Sequence, residues 1–277
     1  MLFGGVDGNG IELSDTWTWN GTAWAQLNVA GPSARINAVM APLNSQFVLF
    51  GGEPMTGDNL SDTWTWNGAT WTKLGVTGPS ARLDAVMAPL HSKLVLFGGE
   101  TTTAGPELSD TWTWDGTAWK QLMVAGPSAR ISAVMAPLDG KLVLFGGYSL
   151  VTGLPHSDTW SWDGTAWTQL SATGPGRYET VMAPLDGKLV LFGGNDGNQV
   201  LSDTWTWDGT AWKQVMVAGP SARLWPMMAP FGTELVLFGG ERGGFPDSET
   251  WSWDGSSWMQ LQVTGPPARY SAVMATP

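Results

Sequence analysis

Two hydrophobic patterns alternate along this chain. In one stretch the apolar runs Ala133–Leu138 and Lys141–Phe145 flank the turn Asp139-Gly140. After a variable loop, Asp158–Trp162 alternates Thr or Ser with Trp, and Ala166–Leu170 follows the turn Asp163-Gly164. Short apolar runs bounded by turn residues predict buried strands, and strict alternation predicts a half-buried one. Asn-Gly or Asp-Gly between two strands predicts a tight hairpin. No stretch carries a helical period. The pattern therefore predicts four short antiparallel strands and no helix.

The same four-strand pattern returns six times. Its marker, LFGG, begins at Leu2, Leu49, Leu96, Leu144, Leu191 and Leu237, at spacings of 47, 47, 48, 47 and 46 residues. A period in this range marks a stack or ring of identical units. Six four-stranded units around an axis make an all-β, six-bladed propeller over residues 1–277, read as one domain. Residue size fits wedge-shaped blades: the first strand is Ala, Val and Met, and the third and fourth carry three Trp per unit. Each buried Trp removes roughly 150–250 Å² from water. Blade-to-blade packing therefore accounts for 18 of the 19 Trp residues, leaving Trp225.

The chain ends fit the same scheme. Residues 270–277 (YSAVMATP) read as a first strand without its blade, and residues 1–3 (MLF) as the tail of a second strand without its partner. Joined, they complete one blade and remove the open edge. Met1 leads directly into LFGG, which reads as a chain without a leader, one whose leader has been removed, or a truncated chain.

Composition narrows the function. The net charge of −11 argues against nucleic acid and anionic membranes as partners. No apolar run approaches membrane-spanning length. With no Cys, disulfides, thiol catalysis and Cys-based metal sites are excluded. Low charge with abundant Trp, Gly and Thr points toward a secreted bacterial protein, expected to act as a monomer.

The Gly-Gly doublet after an apolar strand, the Trp spaced after it and the repeat length together resemble the kelch repeat, met here in all six units. One departure is the doubled third-strand aromatic, WTW or WSW. Kelch propellers include ligand-binding adaptors, the propeller domain of galactose oxidase, sialic-acid epimerases and plant specifier proteins, so the fold does not name an activity. The galactose oxidase copper centre needs a Tyr–Cys cross-link and His ligands. This chain has no Cys and only two His, His91 and His156, so that chemistry is excluded.

Function is sought where the six copies disagree, which happens in two registers. Two residues beyond each GPSAR arginine stand Asn37, Asp84, Ser132, Glu179, Trp225 and Ser271, with Tyr178 and Tyr270 at the neighbouring position. Directly after Gly-Gly stand Val6, Glu53, Glu100, Tyr148, Asn195 and Glu241, followed in the last unit by Arg242. The resemblance implies that both registers meet at one mouth of the central channel. They would form an acidic pocket with an aromatic wall for a cationic or sugar-like small molecule, a glycan or a peptide.

Two other classes stay open. A hydrolase or isomerase could use Glu179 and Asp84 as acid and base, or bind Ca²⁺, Mg²⁺ or Mn²⁺ on the mouth carboxylates. No cofactor is required by the binding reading. A structural scaffold, natural or engineered, would have no small-molecule site. The six arginines Arg35, Arg82, Arg130, Arg177, Arg223 and Arg269 either bond a neighbouring backbone or the SDTW aspartate, or line an anion site in the channel. His91 reads as a turn residue and His156 as a surface residue.

Overall fold

Both hydrophobic patterns become strands. The computed structural model describes residues 1–103 and 105–276 and places in them six sheets of four antiparallel strands, five of them in chain order. A representative blade runs Val134–Leu138, Lys141–Phe145, Thr159–Trp162 and Trp167–Leu170. There is no helix among the described residues. None is therefore long and apolar enough to cross a membrane. One blade is assembled from both ends of the chain: Val273–Met274 pairs with Leu2–Phe3, which pairs with Thr16–Trp19 and then Trp24–Leu27.

The two hairpin turns differ. Asp139 (φ 49°) and Gly140 (φ 74°) form a two-residue turn between Leu138 and Lys141, as expected. The second is not tight. Trp162 pairs with Trp167, leaving a four-residue loop, Asp163–Ala166. Asp163 Oδ1 accepts from the N–H groups of Thr165 (2.8 Å) and Ala166 (2.9 Å), and Gly164 turns the chain at φ 100°. A carboxylate that caps its own loop replaces the two-residue geometry read from Asp-Gly.

Blades interlock through Trp. In one interface Trp207 and Met182 pack on Val134, Leu138 and Phe145 of the preceding blade. The fourth-strand Trp also donates to the third-strand Thr of the blade before it, as Trp119 Nε1 does to Thr63 Oγ1 at 2.9 Å. All six interfaces carry this bond, at 2.9–3.2 Å. The same indole covers the glycine of the GPSAR loop, where a Cβ on Gly126 would stand 2.6 Å from Trp167. Gly126→Ala should therefore cost about 1–3 kcal/mol by overpacking. Urea unfolding checks this, and an unchanged midpoint contradicts it.

The arginines are the second set of ties. Arg130 Nε donates to Ser128 O (3.1 Å). Its Nη1 donates to Gly146 O (3.0 Å) and Asp158 (2.6 Å), and its Nη2 to Ser128 Oγ (3.0 Å) and Asp158 (2.9 Å). Asp158 also accepts from Trp160 Nε1 at 2.7 Å. All five donors are used on the next blade and on the arginine's own loop. In Arg177 and Arg269 the Nε bond to the carbonyl is kept, by Pro175 and Pro267, but the hydroxyl that Ser offers Nη2 elsewhere is missing. Arg223 pairs with Glu249 at 2.8 Å, so the acid is kept where Asp is lost. All six arginines are buried. The anion-site alternative falls, because the guanidinium donors are spent on fixed protein acceptors.

Candidate functional site

The site grows from the residues that leave each arginine. Asn37, Asp84, Ser132, Glu179, Trp225 and Ser271 all adopt left-handed backbone, at φ 46–54°. That conformation costs about 1–3 kcal/mol for a non-glycine residue and persists only where the surroundings impose it. Asn and Asp tolerate it, whereas a bulky Trp rarely does. Backbone hydrogen bonds between neighbouring blades support it in two runs, one from Ser132 through Asp84 and Asn37 to Ser271 and one from Trp225 to Glu179. Asn37 N–H donates to Ser271 O, Asp84 N–H to Asn37 O, Ser132 N–H to Asp84 O, and Trp225 N–H to Glu179 O, at 2.9–3.2 Å. Four of the six steps between neighbouring copies of this most divergent register thus carry a backbone hydrogen bond.

The second register is brought alongside by the glycine pair. Gly146 (φ 68°) and Gly147 (φ 97°) turn so closely that a Cβ would stand 2.5 Å from Arg177 O or 2.8 Å from Ile131 O. The residue after them then bridges the residue after an arginine: Ile36 to Glu53, Leu83 to Glu100, Ile131 to Tyr148, Tyr178 to Asn195, Leu224 to Glu241 and Tyr270 to Val6. The two registers therefore lie side by side, but only the first lines the cavity on the axis; Val6, Glu53, Glu100, Tyr148, Asn195 and Glu241 stand outside that lining.

A third register, missed in the sequence, joins them. Glu12, Glu107 and Val200 bridge Val6, Glu100 and Asn195, while Pro155 pairs with Tyr148 and Pro246 with Glu241. Loop lengths differ between units, so counting forward from Gly-Gly hides this register. Counting back from the Ser before each SDTW-type Asp or Glu reveals it.

The mouth encloses a cavity of about 170 Å³ lined by Asn37, Asp84, Ser132, Glu179, Trp225 and Ser271 with the small residues beside them. This is below the roughly 300–1,000 Å³ of most small-molecule pockets. It suits a compact group better than a whole sugar ring. The opposite channel end is apolar, about 260 Å³ lined by the Met, Ala and Pro residues of the first strands, such as Met135, Ala136 and Pro137.

Electrostatics single out two acids. Burial pushes the Asp84 carboxyl up to about 7, helped by the charges of Glu100 and Glu53 and partly offset by a hydrogen bond from Ser132. Burial likewise pushes Glu179 up to about 8, with Asp84 and Glu241 adding repulsion. Both side chains are half-buried and line the cavity at the mouth. Burial raises the Tyr178 and Tyr270 hydroxyls too, with neighbouring carboxylates contributing.

Aromatic rings stand beside these acids. Trp225 stacks on Tyr270 at 5.5 Å and 25°, and Tyr148 packs on Tyr178 at 4.7 Å. Trp225 Nε1 is buried without a hydrogen-bond partner. The remaining candidates differ in placement. Glu53 accepts from Thr103 Oγ1 at 2.8 Å, and Glu100 is buried. Asn195 Oδ1 caps its own loop at Gly197 N–H, 2.7 Å.

Arg242 does not join the mouth. Its guanidinium lies 3.6 Å from Asp247, 3.9 Å from Glu249 and 3.4 Å from Ser221 Oγ, drawn outward to acids on its own blade. His91 sits in a first hairpin turn at φ 54°. His156 is half-buried, and burial and Arg130 lower its pKa against the opposing pull of Asp158. Among the described residues no three acidic or histidine side chains are grouped as a metal site needs.

A family model, the KLHDC2/KLHL20/DRC7 Kelch-repeats domain, matches residues 67–240, more than half of the chain. The same unit continues on both sides of the matched region. Comparison with curated proteins gives no match.

Proposed function

This chain belongs to the kelch-repeat family, and on that premise we propose that it is a ligand-binding propeller whose channel mouth takes a compact organic cation. The observation carrying this reading is the pair Asp84 and Glu179, both on left-handed backbone and both lining one cavity with Trp225, which stacks on Tyr270. Two like charges raised by burial are unfavourable unless protons or a cation neutralise them. An aromatic face beside them adds ring-quadrupole attraction, worth about 0.5–2 kcal/mol according to how fully the cation is desolvated. The charge and the ring act on the same guest, because both line one cavity.

Binding should depend on pH. Protons compete with the cation for Asp84 and Glu179, so affinity should rise as pH rises through about 7 to 8. A thermal-shift comparison at pH 8 tests this with millimolar guanidinium, tetramethylammonium and a neutral hexose. The organic cations should stabilise the protein and the hexose should not. Glu179→Gln and Trp225→Ala should each abolish the shift while the protein stays folded. Stabilisation by the neutral sugar alone, or by none of the three, contradicts the reading.

A further inference from the structure

We propose that the guest is the guanidinium of an arginine in a polypeptide, with apolar neighbours of that arginine resting on two hairpins beside the mouth. This rests on the reading of the mouth as a cation site and identifies what delivers the cation.

The hairpins are continuous with the site. Tyr148–Ser149 pairs with Leu154–Pro155, and Glu241–Arg242 pairs with Phe245–Pro246. Their first residues, Tyr148 and Glu241, are the rim residues that bridge Ile131 and Leu224. From these roots the chain carries apolar tips into solvent: Val151 is 87% exposed, Leu154 63% and Phe245 73%. Three large apolar side chains raised on short hairpins gain nothing for the core. They are placed to be covered by something that also reaches the mouth.

The hairpins also do not collapse onto the cavity. One is tied at Leu150, whose N–H donates to Glu107, and Pro246 of the other lies next to Gly8 of the neighbouring blade. They rise on either side of the blade whose first strand follows Tyr178 and Glu179.

The chemistry selects arginine over other cations. Its planar guanidinium stacks on an indole face and offers paired N–H donors to carboxylates, whereas the lysine ammonium is a more strongly hydrated point charge. Trp225 supplies the face, and Glu179 and Asp84 supply the acceptors. A cavity of about 170 Å³ admits a side-chain tip and leaves the backbone outside. The net charge of −11 attracts a basic segment from a distance.

Calorimetric titration at pH 8 tests the proposal with four probes: guanidinium, N-acetyl-arginine amide, the capped peptide Val-Leu-Arg-Leu-Val, and the same peptide with Lys for Arg. The arginine peptide should bind at least about tenfold tighter than N-acetyl-arginine amide, a difference of about 1.4 kcal/mol. The lysine peptide should bind several-fold more weakly than the arginine peptide. The combined variant Val151→Ser, Leu154→Ser, Phe245→Ser should lose the peptide's advantage and keep guanidinium affinity. A peptide no tighter than the amide, or an advantage that survives the triple variant, overturns the docking surface. Equal Lys and Arg peptides overturn the arginine assignment. Failure of guanidinium itself overturns the mouth reading, separately from the polypeptide.

Discussion

Removing residues 270–277 should unfold the ring at ordinary temperature rather than merely loosen one blade. The deletion takes away Val273 and Met274, which pair with Phe3 and Leu2, and the hydrogen bonds between Ala275 and Met1. It also removes Ser271, whose carbonyl accepts from Asn37 at the mouth, and Tyr270, which stacks on Trp225. The second strand of that blade would become an unpaired edge. Blade packing is cyclic, so an open ring loses cohesion at both flanks of the gap. The expected loss is on the order of 5 kcal/mol, comparable to the whole stability of a typical domain. Circular dichroism melts of the full and shortened chains check this, and equal melting temperatures contradict ring closure.

Breaking one arginine tie should be nearly as severe. Arg130→Ala leaves Asp158 and the Gly146 carbonyl without their strongest donor in a partly buried place. Removing one partner of a buried ion pair costs about 3–5 kcal/mol, chiefly because the other charge is stranded. Arg130→Lys should recover little of this, since an ammonium cannot reproduce the five-donor fork. Denaturant unfolding of the two variants is the check. A loss below about 1 kcal/mol for Arg130→Ala would mean the tie is replaceable by water.

These two sets of acids should give stability opposite dependences on pH. Asp15, Asp62, Asp110, Asp158, Asp203 and Glu249 are pushed up by burial, but arginine and indole hydrogen bonds outweigh it and leave each lower than usual. Their contribution is present above the ordinary carboxylate values of about 4 and is lost as pH falls below them. Asp84 and Glu179 are raised to about 7 and about 8, so the folded state binds protons the unfolded state does not. Stability should therefore rise as pH falls from 8 toward 5, then drop in stronger acid. Glu179→Gln should raise the melting temperature at pH 8 and flatten the slope between 5 and 8. A wild-type protein most stable at pH 8 contradicts the placement of these acids.

The architecture was legible because the repeat acts as its own control. Six copies of LFGG and of the alternating Trp strand fix blade number, strand order and ring closure without any long-range contact being known. The second turn was misread because Asp-Gly serves both two-residue turns and longer loops capped by the Asp side chain, as Asp163 shows. Divergence between copies pointed to two registers, and bridges such as Ile131 to Tyr148 show why they lie side by side, although only the first lines the axial cavity.

Three features of the site were hidden. The left-handed backbone of Ser132 and its equivalents has no residue signature, because the same place in every blade imposes it on Asn, Asp, Ser, Glu and Trp alike. The outward turn of Arg242 follows from Asp247 and Glu249, acids of the same blade whose proximity only the fold reveals. The register of Glu12 and Glu107 lay behind loops of unequal length.

The central claim is that the mouth carboxylates exchange protons for an organic cation. Calorimetric titration of guanidinium near pH 7.5, in buffers of different ionisation enthalpy, counts the protons released on binding. The account predicts net proton release from the wild-type protein, reduced in Glu179→Gln together with the affinity. Binding with no proton release, or affinity unchanged by Glu179→Gln, would contradict it.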